Sequence, residues 1–190
     1  MSSASLRDGG MQGRDPAKGA KELAMKTLDS IDLAILDALQ RDGRVPIVAL
    51  AKAVGLSPTP CAERVRSLEA AGVIGGYAAC LDATRLGLGL LVFIEITIDR
   101  TTQDAFEQFR QAIATIPEVQ ECHMVAGGFD YLLKVRVGDM SAYRVFLGEV
   151  LSRVPGIRET HSYAVMERVK ESSAVDLSHL REPAPGLPPG

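Results

Sequence analysis

The stretch Leu56 to Ile74, LSPTPCAERVRSLEAAGVI, constrains this chain more than any other feature. Ser57 is placed as an N-cap whose hydroxyl accepts from a first-turn amide, and Pro58 suits the first helical position, where a missing N–H costs nothing. Cys61, Val65 and Leu68 then recur at helical spacing and face a core, while Thr59, Arg64 and Ser67 point elsewhere, and Gly72 stops the helix. Immediately upstream, Ile47 to Val54 is a second short apolar-periodic segment closed by Gly55. Two short helices across a glycine turn predict a helix-turn-helix, which presents its second helix to a DNA groove.

The charge balance argues against a strongly basic DNA-binding footprint. The chain carries a formal charge of −3, and between Asp29 and Leu81 five basic residues (Arg41, Arg44, Lys52, Arg64, Arg66) face six acidic ones (Asp29, Asp32, Asp37, Asp42, Glu63, Glu69). DNA affinity would then come from placement, with basic groups and helix N-termini gathered on one face, because it depends on the phosphates met locally.

The 190 residues divide best into two small domains. Residues 1–25 lack periodicity and read as a disordered tail, and 171–190, ending in REPAPGLPPG, as a flexible one. Residues 26–82 hold the helix-turn-helix. Asp29 caps its first helix with Asp32 three residues on, and Ile31, Ile35 and Leu39 form the buried stripe before Gly43. The second helix opens at Val45-Pro46 with no side-chain oxygen available, a deficit of about 1 kcal/mol. Val73 to Leu81 is expected to form a small β-hairpin, or wing.

After a linker over 83–89 the periodicity changes. Val92, Ile94, Ile96 and Ile98 alternate with Phe93, Glu95, Thr97 and Asp99, a strand with two different faces. A helix over 103–116 follows, with Phe106, Phe109, Ile113 and Ile116 inward. Strands over 119–126 and 130–137 are joined across Gly127-Gly128-Phe129. A helix from Asp139 buries Met140, Tyr143, Leu147, Val150, Leu151 and Val154, and a last strand runs over 157–169. The order βαββαβ over 90–170 predicts a ferredoxin-like domain with both helices on one sheet face, leaving the opposite face in need of a partner. The strand Leu91 to Ile98 is expected at a sheet edge, pairing in a dimer.

Several residues admit two explanations. Gly127-Gly128 supplies either positive φ for a hairpin or bare backbone N–H groups for a ligand carboxylate. Asp130 either holds an ammonium group or pairs with Lys134 or Arg136. Met124 and Met140 line an adaptable pocket or fill a core. Cys61, Cys80 and Cys122 are too few and scattered for a disulfide framework and read as buried free thiols. Cys122 and His123 are adjacent on a strand and point to opposite faces, which argues against a metal site. No GxSxG, HExxH, Walker or GxGxxG motif occurs, so no catalytic residue is nominated and no enzyme activity is expected. No run of about 18 apolar residues spans a bilayer and no secretory signal stands at the N-terminus, so a cytoplasmic, nucleoid-associated protein is expected.

In their order and spacing the segments LDSIDLAILDALQRDGR, LAKAVGLSPTPCAERVRSLEAAGVIGGY, VFIEITIDR, FEQF, VQECHMVAGGFDYLLKVRV, DMSAY and PGI, from about Leu28 to Lys170, resemble the Lrp/AsnC, or feast/famine, regulators. SPTPC, ECH, GGFDYLL and DMSAYR are most similar to the leucine-responsive branch. The resemblance implies an α+β chain, with an N-terminal winged helix-turn-helix and then a ferredoxin-like sensor and oligomerisation domain that forms dimers and rings, commonly octamers. It puts Ser57, Pro58, Thr59 and Arg64 at the DNA surface, with Arg66 adding a phosphate contact, and Met124, Gly127, Gly128, Asp130, Met140 and Tyr163 around an amino-acid effector. Gly128 replaces an acidic or amide residue common in the family, Ser67 an arginine of the closest relatives, and Pro46 a polar helix start.

The expectation is therefore a sequence-specific transcriptional regulator of amino-acid metabolism whose assembly and binding to double-stranded DNA respond to leucine or a similar small amino acid, with no other cofactor. The rivals are a nucleoid-architectural DNA binder and an amino-acid-sensing module acting on an enzyme.

Overall fold

A computed structural model describes residues 28–99 and 104–181; the tail expected over 1–25 lies outside the described residues. Within them, 28–79 together with 172–181 form one compact unit, and the remainder of 80–171 forms a second.

The first unit is built on three helices: α1 (Ser30–Arg41), α2 (Ile47–Ala53) and α3 (Pro58–Ala70). Asp29 caps α1 in the expected reciprocal box, its Oδ1 accepting from the Asp32 amide at 2.8 Å while Asp32 Oδ2 accepts from the Asp29 amide. The α1 stripe is wider than expected: Leu33, Ile35 and Leu36 are buried, and Ile31 and Leu39 only partly so. α2 begins at Pro46 without a side-chain cap, as its sequence implies. Both α2 and α3 end through a glycine at φ near +70°. Leu56 N donates to Ala51 O across Gly55, and Val73 N to Leu68 O across Gly72, which satisfies carbonyls that a helix end leaves unpaired. The core joins Ile35, Leu36, Leu50, Ala51, Cys61 and Leu68.

Two expectations fail in this unit. No hairpin forms over 73–81, which is irregular backbone through Gly75 and Gly76, with Tyr77 anchored by its hydroxyl to Glu69 Oε1 at 3.0 Å instead of by a strand partner. Residues 172–181 are not a loose tail: they pack on α1, and Ser178–Leu180 is a 3-10 turn.

The second unit is a four-stranded sheet of β1 (Leu90–Ile98), β2 (Val119–Met124), β3 (Tyr131–Val137) and β4 (Ile157–Ala164), with spatial order β2-β3-β1-β4 and all neighbours antiparallel. The ferredoxin-like topology is as expected, but β1 is an inner strand paired on both sides. Its buried pattern needs neighbours for the backbone as well as cover for the side chains, and β2 and β4 form the edges. β4 stops at Ala164 rather than near 169 because β1 runs out opposite it, the last bond being Val165 N to Leu91 O.

Helices α4 (Ala105–Ile113) and α5 (Met140–Val145) cover one face, where Val92, Ile94, Ile96 and Ile98 meet Phe109, Ile113, Tyr143 and Phe146. α5 is shorter than its apolar spacing suggests and continues as a π turn over Phe146–Val150 and a 3-10 turn over Leu151–Arg153. Gly148 gives that segment little helical preference, and Ser152 Oγ draws its carbonyl at 2.6 Å. Phe146 is buried at the start of the π turn, while Met140, the first residue of α5, is exposed rather than buried as expected. Of the thiols only Cys61 is buried; Cys80 lies in irregular backbone and Cys122 on edge strand β2, which the helices do not cover. No described helix is long and apolar enough to cross a membrane.

Candidate functional site

Residues at the start of α3 stand clear of the core. Ser57, Pro58 and Thr59 are exposed, and Thr59, Glu63 and Arg66, at spacings of four and three, form one exposed stripe along the helix. Ser57 holds the N-cap position but makes no side-chain cap bond. The reason is in the sequence: the third helical residue, whose amide usually receives such a bond, is Pro60, and the first is Pro58. The Ser57 hydroxyl is thus left at the exposed tip.

Arg64 departs from the expectation of an outward reader. Its Nη1 donates to Asp29 Oδ2 at 2.7 Å and to Asp32 Oδ1 at 2.8 Å, tying α3 to the capping box of α1. The guanidinium is thereby engaged by two carboxylates from the start of α1. The Asp32 amide and then Arg64 hold the Asp29 carboxyl below its usual 3.8, and the two aspartates raise Arg64 above its ordinary value. A carboxylate whose folded pKa is depressed adds stability that is present above the unfolded pKa and lost as pH falls through the folded one. Asp29→Asn should therefore lower the thermal midpoint at pH 7, and the gap to the wild type should narrow as pH falls below the unfolded value of about 3.9 and through the lowered folded one. A gap that stays constant across a pH series of melting curves would show that the ion pair contributes nothing.

In the second unit, the β2–β3 connection runs from Val125 to Asp130, closed by Val125 N to Asp130 O at 3.0 Å and tied to β1 by Asp130 N to Ile96 O at 2.9 Å. Gly127 and Gly128 do not adopt positive φ, which removes the conformational explanation for them. A Cβ at either would meet nothing within 4 Å, so the two glycines leave backbone bare beside open space. That space is a cleft of about 550 Å³ lined by Thr97, Ile98, Asp99, Gly127, Gly128, Phe129, Asp130 and Arg158.

Asp130 is 6% exposed and its Oδ2 accepts from the Ile98 amide at 2.8 Å. Of the cations considered from the sequence, Lys134 bonds Glu121 Oε1 and Arg136 bonds Gln120 Oε1. The remaining effector residues do not line this cleft. Met124, Met140 and Tyr163 are exposed on β2, at the start of α5 and on β4. Arg158 escaped the sequence reading because β4 meets the glycine connection only in the folded sheet. Among the described residues no group of three or more His, Cys, Asp or Glu side chains is placed to hold a metal.

Residues 28–69 match the AsnC-type helix-turn-helix domain, and residues 91–175 the Lrp/AsnC ligand binding domain. The chain is 56% identical over 154 residues to the leucine-responsive regulatory protein of Escherichia coli K12, covering 81% of this chain and 94% of that one, and matches that of Klebsiella pneumoniae equally. This chain belongs to the Lrp/AsnC family. Among solved structures, a transcriptional regulator from Neisseria meningitidis in complex with L-Met superposes with a TM-score of 0.79 at 38% identity, covering 82% of this chain and all of that one. A feast or famine regulatory protein from Mycobacterium tuberculosis complexed with L-methionine gives 0.71 at 31%, covering 78% and 98%. The Lrp/AsnC architecture is a helix-turn-helix unit and an antiparallel sheet unit in this chain order, as found here.

Proposed function

We propose that this Lrp/AsnC protein is a DNA-binding transcription regulator of amino-acid metabolism that responds to a small, largely apolar amino acid such as leucine or methionine. The observation that carries the effector half is the cleft at the β2–β3 connection. A free amino acid needs an anion for its ammonium group and donors for its carboxylate. Asp130 supplies the first; the Gly127-Gly128 backbone and Arg158 supply the second, in a cleft within the usual ligand-site range of about 300–1,000 Å³. The relatives crystallised with L-Met support this choice of ligand class. Met124, Met140 and Tyr163 are assigned to the effector surface on the family resemblance, as exposed groups that a second copy would bring against the ligand.

On the DNA side, Ser57, Pro58, Thr59 and Arg66 are assigned to the double helix, joined by Glu63 on the same stripe, whose carboxylate matches a cytosine amino group. Arg64 acts from behind by fixing the reading helix. Copies assemble through the sheet face that α4 and α5 leave open, where Phe93, Glu95 and Thr97 of β1 alternate with the buried set and stand beside His161 and Tyr163 of β4. A dimer, and rings of dimers, double and multiply the modest basic footprint. A cytoplasmic, nucleoid-associated location follows from this role.

Titration calorimetry against the twenty amino acids, paired with light scattering after size exclusion, tests the reading. Heat with leucine or methionine and a ligand-dependent change in assembly are expected; a tenfold difference in affinity between two assemblies amounts to about 1.4 kcal/mol per site. A monomer under all conditions defeats the assembly scheme. Heat with none of the twenty, alongside intact DNA binding, would favour a purely architectural role.

A further inference from the structure

In the sequence SSAVDLSHLR at 172–181 the fold packs Leu177 into the DNA-binding unit rather than the sheet unit that precedes it, while Val175 and Leu180 stay exposed. Gln40 on α1 reads the backbone of Val175 twice: its Nε2 donates to Val175 O at 3.2 Å, and its Oε1 accepts from Val175 N at 2.6 Å. That is the bonding a neighbouring strand would give, supplied by one side-chain amide. Leu177 packs against the core formed by Ile35, Leu36, Leu50 and Leu68, in a groove floored by Leu39, Ile74 and Tyr77. Asp176 turns the chain by accepting from the Ser178 amide at 2.9 Å, and Arg181 then pairs with Asp37 one turn before Gln40. The backbone pair and the ion pair both fall on α1, and the apolar side chain joins the core that α1 shares with α2 and α3.

We propose that residues 172–181 are an intramolecular strap that completes the helix-turn-helix unit, and that its seating on α1 controls the affinity of α3 for DNA. The path is short. α1 holds the strap through Asp37 and Gln40 on its last turns and holds Arg64 of α3 through Asp29 and Asp32 at its start. Loosening the strap frees α1 to fray and releases the carboxylates that orient the reading helix. Because the strap follows β4 by only residues 165–171, the strand that carries Arg158 in the ligand cleft is joined by a short covalent chain to the DNA-binding unit. The sheet unit is therefore tethered to the helical one at both of its ends.

The proposal uses the DNA-binding reading only for its second half, so the test has two readouts. In the full-length protein, Leu177→Asp and, separately, Gln40→Ala should raise hydrogen exchange of the α1 amides at least about tenfold and weaken DNA binding about tenfold, while calorimetric affinity for the effector changes less than about twofold. Gln40→Ala puts the best helix former in an exposed helical position, so it leaves α1 able to form. Unchanged exchange in both variants overturns the strap. Raised exchange with unchanged DNA affinity overturns its control of DNA. Should the wild-type protein prefer no DNA sequence while the α1 amides still respond, the strap stands and the DNA reading falls.

Discussion

Asp130→Asn is expected to weaken effector binding by at least about thirtyfold while DNA affinity in the absence of effector stays within about twofold. Removing one member of a desolvated ammonium–carboxylate pair typically costs about 2–5 kcal/mol, or a factor of thirty to several thousand. Asparagine is the informative replacement because its amide oxygen still accepts from the Ile98 amide, the bond that joins the β2–β3 connection to β1. Alanine would also strand that buried amide, at a cost of about 1–3 kcal/mol, and so confuse ligand loss with local unfolding. Calorimetry with leucine and methionine on the asparagine variant checks the prediction, with Arg158→Gln as companion. If both variants bind as the wild type does, the cleft is not the effector site.

The second large effect separates two arginines only two residues apart but different in situation. Arg66→Ala removes an exposed cation from the reading stripe and should weaken binding to every DNA sequence alike, with the slope of log affinity against log salt falling by about one per copy. Arg64→Ala should weaken DNA binding through the fold: Asp29 and Asp32 lose their shared cation, like charges are left side by side, and the thermal midpoint of the helical unit falls by several degrees while the salt slope changes little. Binding measured over a salt series on both variants, with melting curves beside it, tells the two apart. A normal melting curve together with a reduced salt slope for Arg64→Ala would return that residue to the DNA surface.

What could be read from the chain was what neighbours in sequence decide. Asp29 with Asp32, Gly55, Gly72 and the Val92–Ile98 alternation act within a turn or along one strand, and each is found in its expected role. The missing Ser57 cap bond is local as well: Pro60 at the third helical position removes one of the two amides that such a cap can use. Other features depend on pairs far apart. Arg64 meets carboxylates 32 and 35 residues away, Gln40 meets Val175 across 135, and nothing local in any of these segments announces its partner. The position of β1 inside the sheet follows from strand order rather than strand composition, since an inner strand and a well-packed edge share the same alternation. Arg158 belongs with them: its importance lies in standing across from the glycine connection, a proximity created by the sheet.

Because Leu177 packs against the core of the helical unit, that unit is closed by a segment synthesised only after the whole sheet unit. A ribosome-bound chain carries the reading helix long before it carries the segment that braces it. A stop codon falling between β4 and the strap would yield a product with sensor and helices present but the helical unit unbraced.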